Sequence, residues 1–233
     1  MHLLPLGATE PHGPHAPLAT DTIISVGICR RAAERLRGEI DVLVLPAVPY
    51  GVTRYGADFS GALSISEKTL RAVVTEICEP LERVVLVNSH LEPEQVHTLR
   101  QLGLPLFDVT RRHVAERLTD EFRAGAGHAG RYETSLVLAD RPELVNDERM
   151  RNLAAKMIDM PAAIRSGQTS FVAMGMDQAY AGAPSEATAE EGEQTFATLT
   201  DLLVELIRDV GGAGPTEPPK SGGAGLAGAG AER

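Results

Sequence analysis

Tryptophan is absent from the chain, and aromatic residues make up only 4% of its 233 residues. The two cysteines, Cys29 and Cys78, form no C-x-x-C pair, so we expect buried free thiols rather than a disulfide framework. The sequence also lacks a long apolar run, and its first residues lack a basic segment followed by an apolar one. We therefore expect a cytoplasmic protein with no membrane partner.

Basic residues are scarce, with 22 Lys and Arg against 32 Asp and Glu, which leaves a net charge of −10. A nucleic-acid-binding surface needs clustered lysines and arginines, so the composition argues against nucleic acid as a partner. The 43% hydrophobic and 23% charged content is typical of a soluble globular protein. We predict one domain over residues 1–210 and a disordered tail, rich in Gly, Pro and Ala, over residues 211–233.

Apolar runs alternate with amphipathic segments along the chain. Strands are predicted at residues 2–7, 41–48, 83–88 and 105–109. Helices are predicted at residues 21–37, 66–79, 93–102, 111–122, 131–140 and 186–209, and a loop at residues 49–62. Because the strands are apolar on both faces, we expect an α/β fold of three layers, α/β/α, with a mostly parallel central sheet.

Two carboxylates and two imidazoles lie close together after the first predicted strand, in the stretch LGATEPHGPHAPLATD at residues 6–21. Carboxylate oxygens and imidazole nitrogens are suitable ligands for Zn²⁺, Mn²⁺ or Fe²⁺. Glu10 and His12 are two residues apart and can share a face of an extended segment. Asp21 either caps the following helix or bridges two metal ions. The alternative for the whole stretch is a polar surface turn.

A second acid–imidazole pair, His90 and Glu92, follows the third predicted strand in the segment NSHLE. In a parallel α/β sheet, ligands bind beyond the carboxyl ends of the strands. We therefore predict five metal ligands in all: Glu10, His12, Asp21, His90 and Glu92. Two imidazoles and three carboxylates suit a dinuclear site that holds a bridging hydroxide.

A third segment, HAGRYETS at residues 128–135, carries His128 in a glycine-flanked loop and Glu133 at the start of a helix. A loop histidine is usually only exposed, and a glutamate in a first turn is favoured by the helix dipole alone. Near a metal centre, however, His128 would be a proton shuttle. His15 is a possible pocket-lining residue, whereas His2, His97 and His113 are isolated.

These segments resemble the creatininase family of metal-dependent amidohydrolases. Residues 6–21 are similar to its signature G-S-T-E-Q-H-G-P-H-L-P-L-x-T-D, residues 88–92 to its N-G-H-x-E segment, and residues 128–135 to its H-A-G-x-x-E-T-S block. The resemblance implies that all five predicted ligands bind two divalent ions (Zn, Mn or Fe), with Asp21 bridging. It also implies that His128 transfers protons, and we expect Glu133 to orient it.

The resemblance implies a divergent member of the family. Pro11 replaces the usual Gln, Ser89 replaces Gly, Gly56 stands where His is common, and the tryptophans that close the creatininase pocket are missing. Because the ligands are retained while the substrate-facing positions differ, we do not expect creatinine itself to be the substrate.

The resemblance implies hydrolysis of a C–N amide bond in a small-molecule substrate, of cyclic amide or formamide type, by a homo-oligomer, in this family commonly a hexamer. A peptidase of the mycofactocin-precursor type is the alternative within the family. A non-catalytic metal-binding or assembly subunit is the alternative from another class.

Overall fold

A computed structural model of the protein describes residues 1–212. Its strands are β1 (His2–Leu6), β2 (Leu43–Val44), β3 (Val84–Asn88) and β4 (Leu106–Asp108). Its helices are α1 (Thr20–Arg35), α2 (Glu67–Cys78), α3 (Pro93–Arg100), α4 (Arg112–Ala115), α5 (Asp120–Arg123), α6 (Arg131–Asp140), α7 (Asp147–Arg151), α8 (Met160–Arg165) and α9 (Ala189–Gly212). Short 3-10 turns lie at Pro142–Leu144 and Pro184–Glu186.

The four strands form one parallel sheet in the order β2-β1-β3-β4. Successive side chains of a strand point to opposite faces, and both faces of this sheet are covered. Leu3, Val85 and Val87 pack in a core shared with α1, α6 and α9. Leu4 and Leu86 pack on the other face with buried residues of α2 and α3. The predicted three-layer α/β/α fold with a parallel sheet is confirmed.

The second strand is shorter than the predicted 41–48 run. Only Leu43–Val44 lies in the ladder with β1, although Val48 forms an isolated parallel bridge to Leu6. Pro46 carries no N–H and so cannot continue the donor pattern. The strand also lies at the edge of the sheet, where Leu43 is exposed, so the apolar run did not require burial on both faces.

The predicted helix over 111–122 is two short helices, α4 and α5. Thr119 separates them, because its side chain accepts the backbone N–H of Phe122 and caps α5. Helices α7 and α8 lie in a stretch for which no element was predicted. Helix α9 begins three residues later than predicted and continues to Gly212, so Gly211 and Gly212 are helical; the rest of the predicted tail lies outside the described residues.

Among the helices of residues 1–212, none combines the length and apolar character needed to cross a bilayer.

Candidate metal centre

The topology of the sheet brings the first two predicted segments together. Strands β1 and β3 are neighbours and parallel, with Leu6 opposite Asn88 in the register. Glu10 and His12 follow the carboxyl end of β1, and His90 follows that of β3, so all three lie at the same edge. Each of these side chains is at most 3% exposed.

Two helices supply the remaining carboxylates of the cluster. Asp21 is in the first turn of α1, which begins at Thr20. The residue before the helix, Ala19, makes no side-chain cap, so neither Thr20 nor Asp21 is the N-cap. The Asp21 side chain instead lies buried in the cluster. Glu133 is likewise buried in the first turn of α6.

One set of three ligand atoms centres on His90. Its Nδ1 lies 3.1 Å from Glu10 Oε1 and 3.1 Å from Asp21 Oδ2. Its Nε2–H donates to the carbonyl oxygen of Val52 at 2.7 Å, because a carbonyl can only accept. The Nδ1 lone pair of a neutral His90 therefore faces two carboxylate oxygens, an arrangement that requires a proton or a metal cation between them.

A second set centres on His12. Its Nε2 lies 3.3 Å from Asp21 Oδ1 and 3.3 Å from Glu133 Oε2. Its other ring nitrogen, Nδ1, donates to the backbone carbonyl of Glu10 at 3.1 Å. Asp21 therefore offers one oxygen to each set, and in both sets the three ligand atoms lie within 4.8 Å of one another. In this arrangement, one carboxylate could hold two cations.

Two buried polar atoms of the cluster have no hydrogen-bond partner, and both belong to these sets. They are Nε2 of His12 and Oδ2 of Asp21. Leaving such atoms unsatisfied inside a protein costs free energy, and a divalent cation would satisfy both. With the three histidines neutral, Glu10, Asp21 and Glu133 also place three negative charges in a buried volume, so the donor set fits divalent metal ions.

The electrostatics of the cluster favour positive charge on its imidazoles. Burial alone lowers the pKa of His12 and His90, but the facing carboxylates outweigh burial and raise both well above the usual value. Burial raises the pKa of Glu10, yet the charge and hydrogen bond of His90 bring it down to about 2. Metal binding would therefore displace protons from these imidazoles.

The structure does not bring Glu92 into either set. Its two carboxylate oxygens accept the backbone N–H of Arg54, both at 2.8 Å, and one also accepts the N–H of Tyr55 at 3.3 Å. It lies 4.0 Å from Nε2 of His90, the nitrogen that faces away from the cluster. Glu133, predicted to orient His128, lies in a possible ligand set with His12 and Asp21.

His128 lies beside the cluster and lines the adjoining cavity. Its Nε2–H donates to the carbonyl of Pro11 at 3.0 Å, and its Nδ1 lies 3.7 Å from Glu10 Oε1. The next residue, Ala129, has a positive φ of 51°, an uncommon conformation for alanine, and its N–H donates to Glu133 at 2.7 Å. His128, Glu10 and His12 form a third possible ligand set.

His15 does not line this cavity. Its Nε2 lies 2.8 Å from the hydroxyl of Thr134, one residue after Glu133, and its Nδ1 has no hydrogen-bond partner. Burial lowers its pKa to about 4, with help from the nearby His12 and His128. A neutral His15 thus packs behind the cluster.

A segment inside the predicted 49–62 loop, which follows the second predicted strand, holds the cluster in place through contacts that the sequence did not predict. Thr53 donates its hydroxyl to Glu10 Oε2 at 2.5 Å, and Val52 accepts from His90. Gln95 on α3 accepts the N–H of Val52 at 2.9 Å. A Cβ at Gly51 would lie 2.0 Å from Oε1 of Gln95, so this close approach requires glycine. No local pattern in the sequence indicates these contacts.

Replacing Thr53 with valine is expected to weaken metal binding by about 10-fold to 100-fold, because valine keeps the shape of the side chain but cannot orient Glu10. Thr53→Ser keeps the hydroxyl and should restore most of the affinity. Competition with a chromophoric chelator measures both variants. Equal affinity of the valine and wild-type proteins would show that the hydroxyl does not position Glu10.

A cavity of about 440 Å³ opens beside the cluster. The residues of the cluster that line it are Glu10, Asp21, His90, His128 and Glu133. Its apolar lining includes Phe171, whose ring centroid is 4.4 Å from that of His128. A substrate in this cavity would lie against carboxylates of both ligand sets and against the imidazole of His128.

The fold and this cluster define a three-layer α/β protein with a candidate dinuclear metal centre at the carboxyl edge of its sheet. The sequence matches the creatininase (creatinine amidohydrolase) family over residues 1–207. The chain belongs to the creatininase family.

Individual relatives agree with this assignment. The mycofactocin precursor peptide peptidase of Mycobacterium ulcerans is 33% identical over 221 residues, covering 88% of this chain and 83% of that protein. The creatinine amidohydrolase of Pseudomonas putida is 29% identical, covering 89% and 88%. A solved structure described as creatininase Mn superposes with a TM-score of 0.69 at 25% identity, covering 90% of each chain.

Proposed function

We propose that the protein is a metal-dependent amidohydrolase that cleaves a C–N amide bond, using two divalent cations of Zn, Mn or Fe. Glu10, Asp21 and His90 would hold one cation, and His12, Asp21 and Glu133 would hold the other. The observation that carries the proposal is the shared Asp21, whose two oxygens face His12 and His90 at 3.3 and 3.1 Å. This ligand set uses Glu133 in place of the predicted Glu92.

When bound, the cations would polarise the amide carbonyl and lower the pKa of a water molecule. His128 supplies the proton transfer. Its Nε2–H stays with Pro11, so its Nδ1 is free to accept the proton that the water loses as its oxygen bonds to the carbonyl carbon. Nδ1 then gives that proton to the leaving nitrogen as the C–N bond breaks. The products are a carboxylic acid and an amine.

The size of the cavity permits a second candidate, a peptidase. At about 440 Å³ it falls in the range of roughly 300–1,000 Å³ that drug-sized ligands occupy. It can therefore take the end of a peptide as well as a cyclic amide or a formamide. The similarity to the mycofactocin precursor peptide peptidase supports the same candidate. A homo-oligomer and a cytoplasmic location stay predictions.

We expect the purified protein to contain divalent metal and to hydrolyse at least one member of a panel of cyclic amides, formamides and short peptides. His90→Ala should lose metal and activity together, because it removes the nitrogen between Glu10 and Asp21. His97→Ala, on the exposed face of α3, is the matched control. Elemental analysis and product release measure the two properties separately.

Each outcome of that experiment decides between the candidates. A wild-type protein that neither contains nor binds Zn, Mn or Fe rejects every hydrolase described above. Stoichiometric metal without hydrolysis across the panel favours the non-catalytic subunit. Full activity and metal content in a folded His90→Ala protein would contradict the proposed ligand set.

A further inference from the structure

The cavity beside the cluster has a long apolar side. The larger apolar and aromatic residues that line it are Tyr55, Leu91, Phe122, Met160, Ile164 and Phe171. Phe171 contacts His128 and lies 6.3 Å from Tyr55 between ring centroids. This lining begins directly beside the proton-transferring imidazole. A bound substrate would thus place an apolar group next to its reacting amide.

Two arginines also line the cavity, and neither has an acidic partner among residues 1–212. Arg123 ends α5 and Arg165 ends α8; both are exposed. Arg123 donates to the carbonyl of Leu118 at 3.2 Å, and within residues 1–212 neither guanidinium forms an ion pair. Several other arginines are paired with carboxylates, as Arg31 is with Asp140 at 2.7 Å.

The carboxylates that share the cavity are already engaged. Glu92 accepts backbone N–H groups of Arg54 and Tyr55. Asp159 accepts the N–H of Ala162 at 2.8 Å and caps α8. The other acidic residues of the lining belong to the two ligand sets. Among the charged groups lining the cavity, the two guanidinium groups are therefore the ones left to meet an anionic substrate.

We infer that the substrate is an amide with an apolar group and a free carboxylate, such as an N-acyl amino acid or a short peptide with a free C-terminus, and that Arg123 and Arg165 bind this carboxylate. This inference rests on the proposed amide hydrolysis. The planar fork of an arginine matches a carboxylate with two parallel hydrogen bonds, which a neutral amide cannot replace. The apolar lining then holds the apolar group of the substrate beside the reacting amide.

The test compares N-acetylphenylalanine with N-acetylphenylalaninamide, which differ only in the carboxylate. We expect the metal-loaded protein to bind the acid about tenfold more tightly by calorimetry. The double variant R123Q/R165Q should lose this preference because it weakens binding of the acid alone. R123K/R165K keeps the charge without the fork and should be intermediate. R37Q/R208Q makes the same charge change at exposed positions outside the cavity and should bind like wild type.

Metal content, measured on every sample, distinguishes failure of the proposed function from failure of this inference alone. A wild-type protein without metal overturns the proposed function and this inference with it. If the metal content is normal, the inference alone is overturned by equal binding of acid and amide, by binding of neither, or by an unchanged preference in R123Q/R165Q. A direct bond between the carboxylate and the metals would give the last of these results.

Discussion

Replacing Asp21 with asparagine is expected to lower the hydrolytic rate by about 1,000-fold or more and to leave at most one metal ion per chain. Asp21 offers Oδ1 on the His12 side and Oδ2 on the His90 side. Asparagine keeps one oxygen and puts a neutral NH₂ group, which is not a metal ligand, in the other place. A single substitution therefore damages both ligand sets, and elemental analysis with steady-state kinetics measures the damage.

Thermal unfolding measures metal binding by the Asp21→Asn protein independently, through the increase in Tm. Metal that binds only the folded state stabilises it, by about 2.7 kcal/mol when the metal is at 100 times its dissociation constant. Asp21→Asn should lose most of this increase in Tm. In a chelator its Tm should fall below that of wild type, since the protonated His12 and His90 both lose the buried carboxylate that faces them.

The exposed Asp209 on α9 provides the control, because Asp209→Asn makes the same chemical change away from the cluster. It should keep wild-type metal content, rate and response to metal. A folded Asp21→Asn protein that still holds two metal ions would show that Asp21 is not the shared ligand.

Replacing His128 with alanine is expected to lower kcat by about 100-fold to 10,000-fold, the usual contribution of a positioned acid–base group. Metal content should stay near that of wild type, because both ligand sets that share Asp21 are complete without His128. The Michaelis constant should change far less than kcat, since the proton transfer belongs to the chemical step.

Added imidazole provides a second test of the role of His128. It can enter the space that His128 leaves between His12 and Phe171, whose ring centroids both lie 4.4 Å from that of His128, and partly restore kcat. A parallel loss of metal and activity would instead assign His128 to the third ligand set, with Glu10 and His12. That result would contradict its role as the proton carrier.

The layers of the fold could be predicted from the sequence because buried strands appear in it as apolar runs. Strands β1 and β3 are buried along almost their whole length, and their apolar runs are unmistakable. Helix α9 was recognised by its amphipathic period. The predictions were wrong or missing where the sequence has no such pattern. These places are the edge strand β2 and the short helices α4, α5, α7 and α8, whose bounds depend on caps and tertiary contacts.

The candidate site, too, was only partly predictable from the sequence. Glu10 and His12 are two residues apart in one motif, and His90 follows a neighbouring parallel strand, so their meeting was predictable. The alternation rule that placed Glu92 beside His90 was insufficient. Residue 92 precedes helix α3, and its carboxylate turns to the amides of Arg54 and Tyr55.

By itself the sequence determined the class of fold, the family resemblance and the residue types available for a metal centre, because these depend on local pattern and on strand order. Only the tertiary structure decided which carboxylates meet which imidazoles. It placed Glu133 in a ligand set, left Glu92 outside both, and brought Thr53 to Glu10. The physical reason is that ligand geometry depends on how helices and loops distant in sequence pack around the sheet edge, and a difference of a few ångströms there decides whether an oxygen faces a cation or a backbone amide.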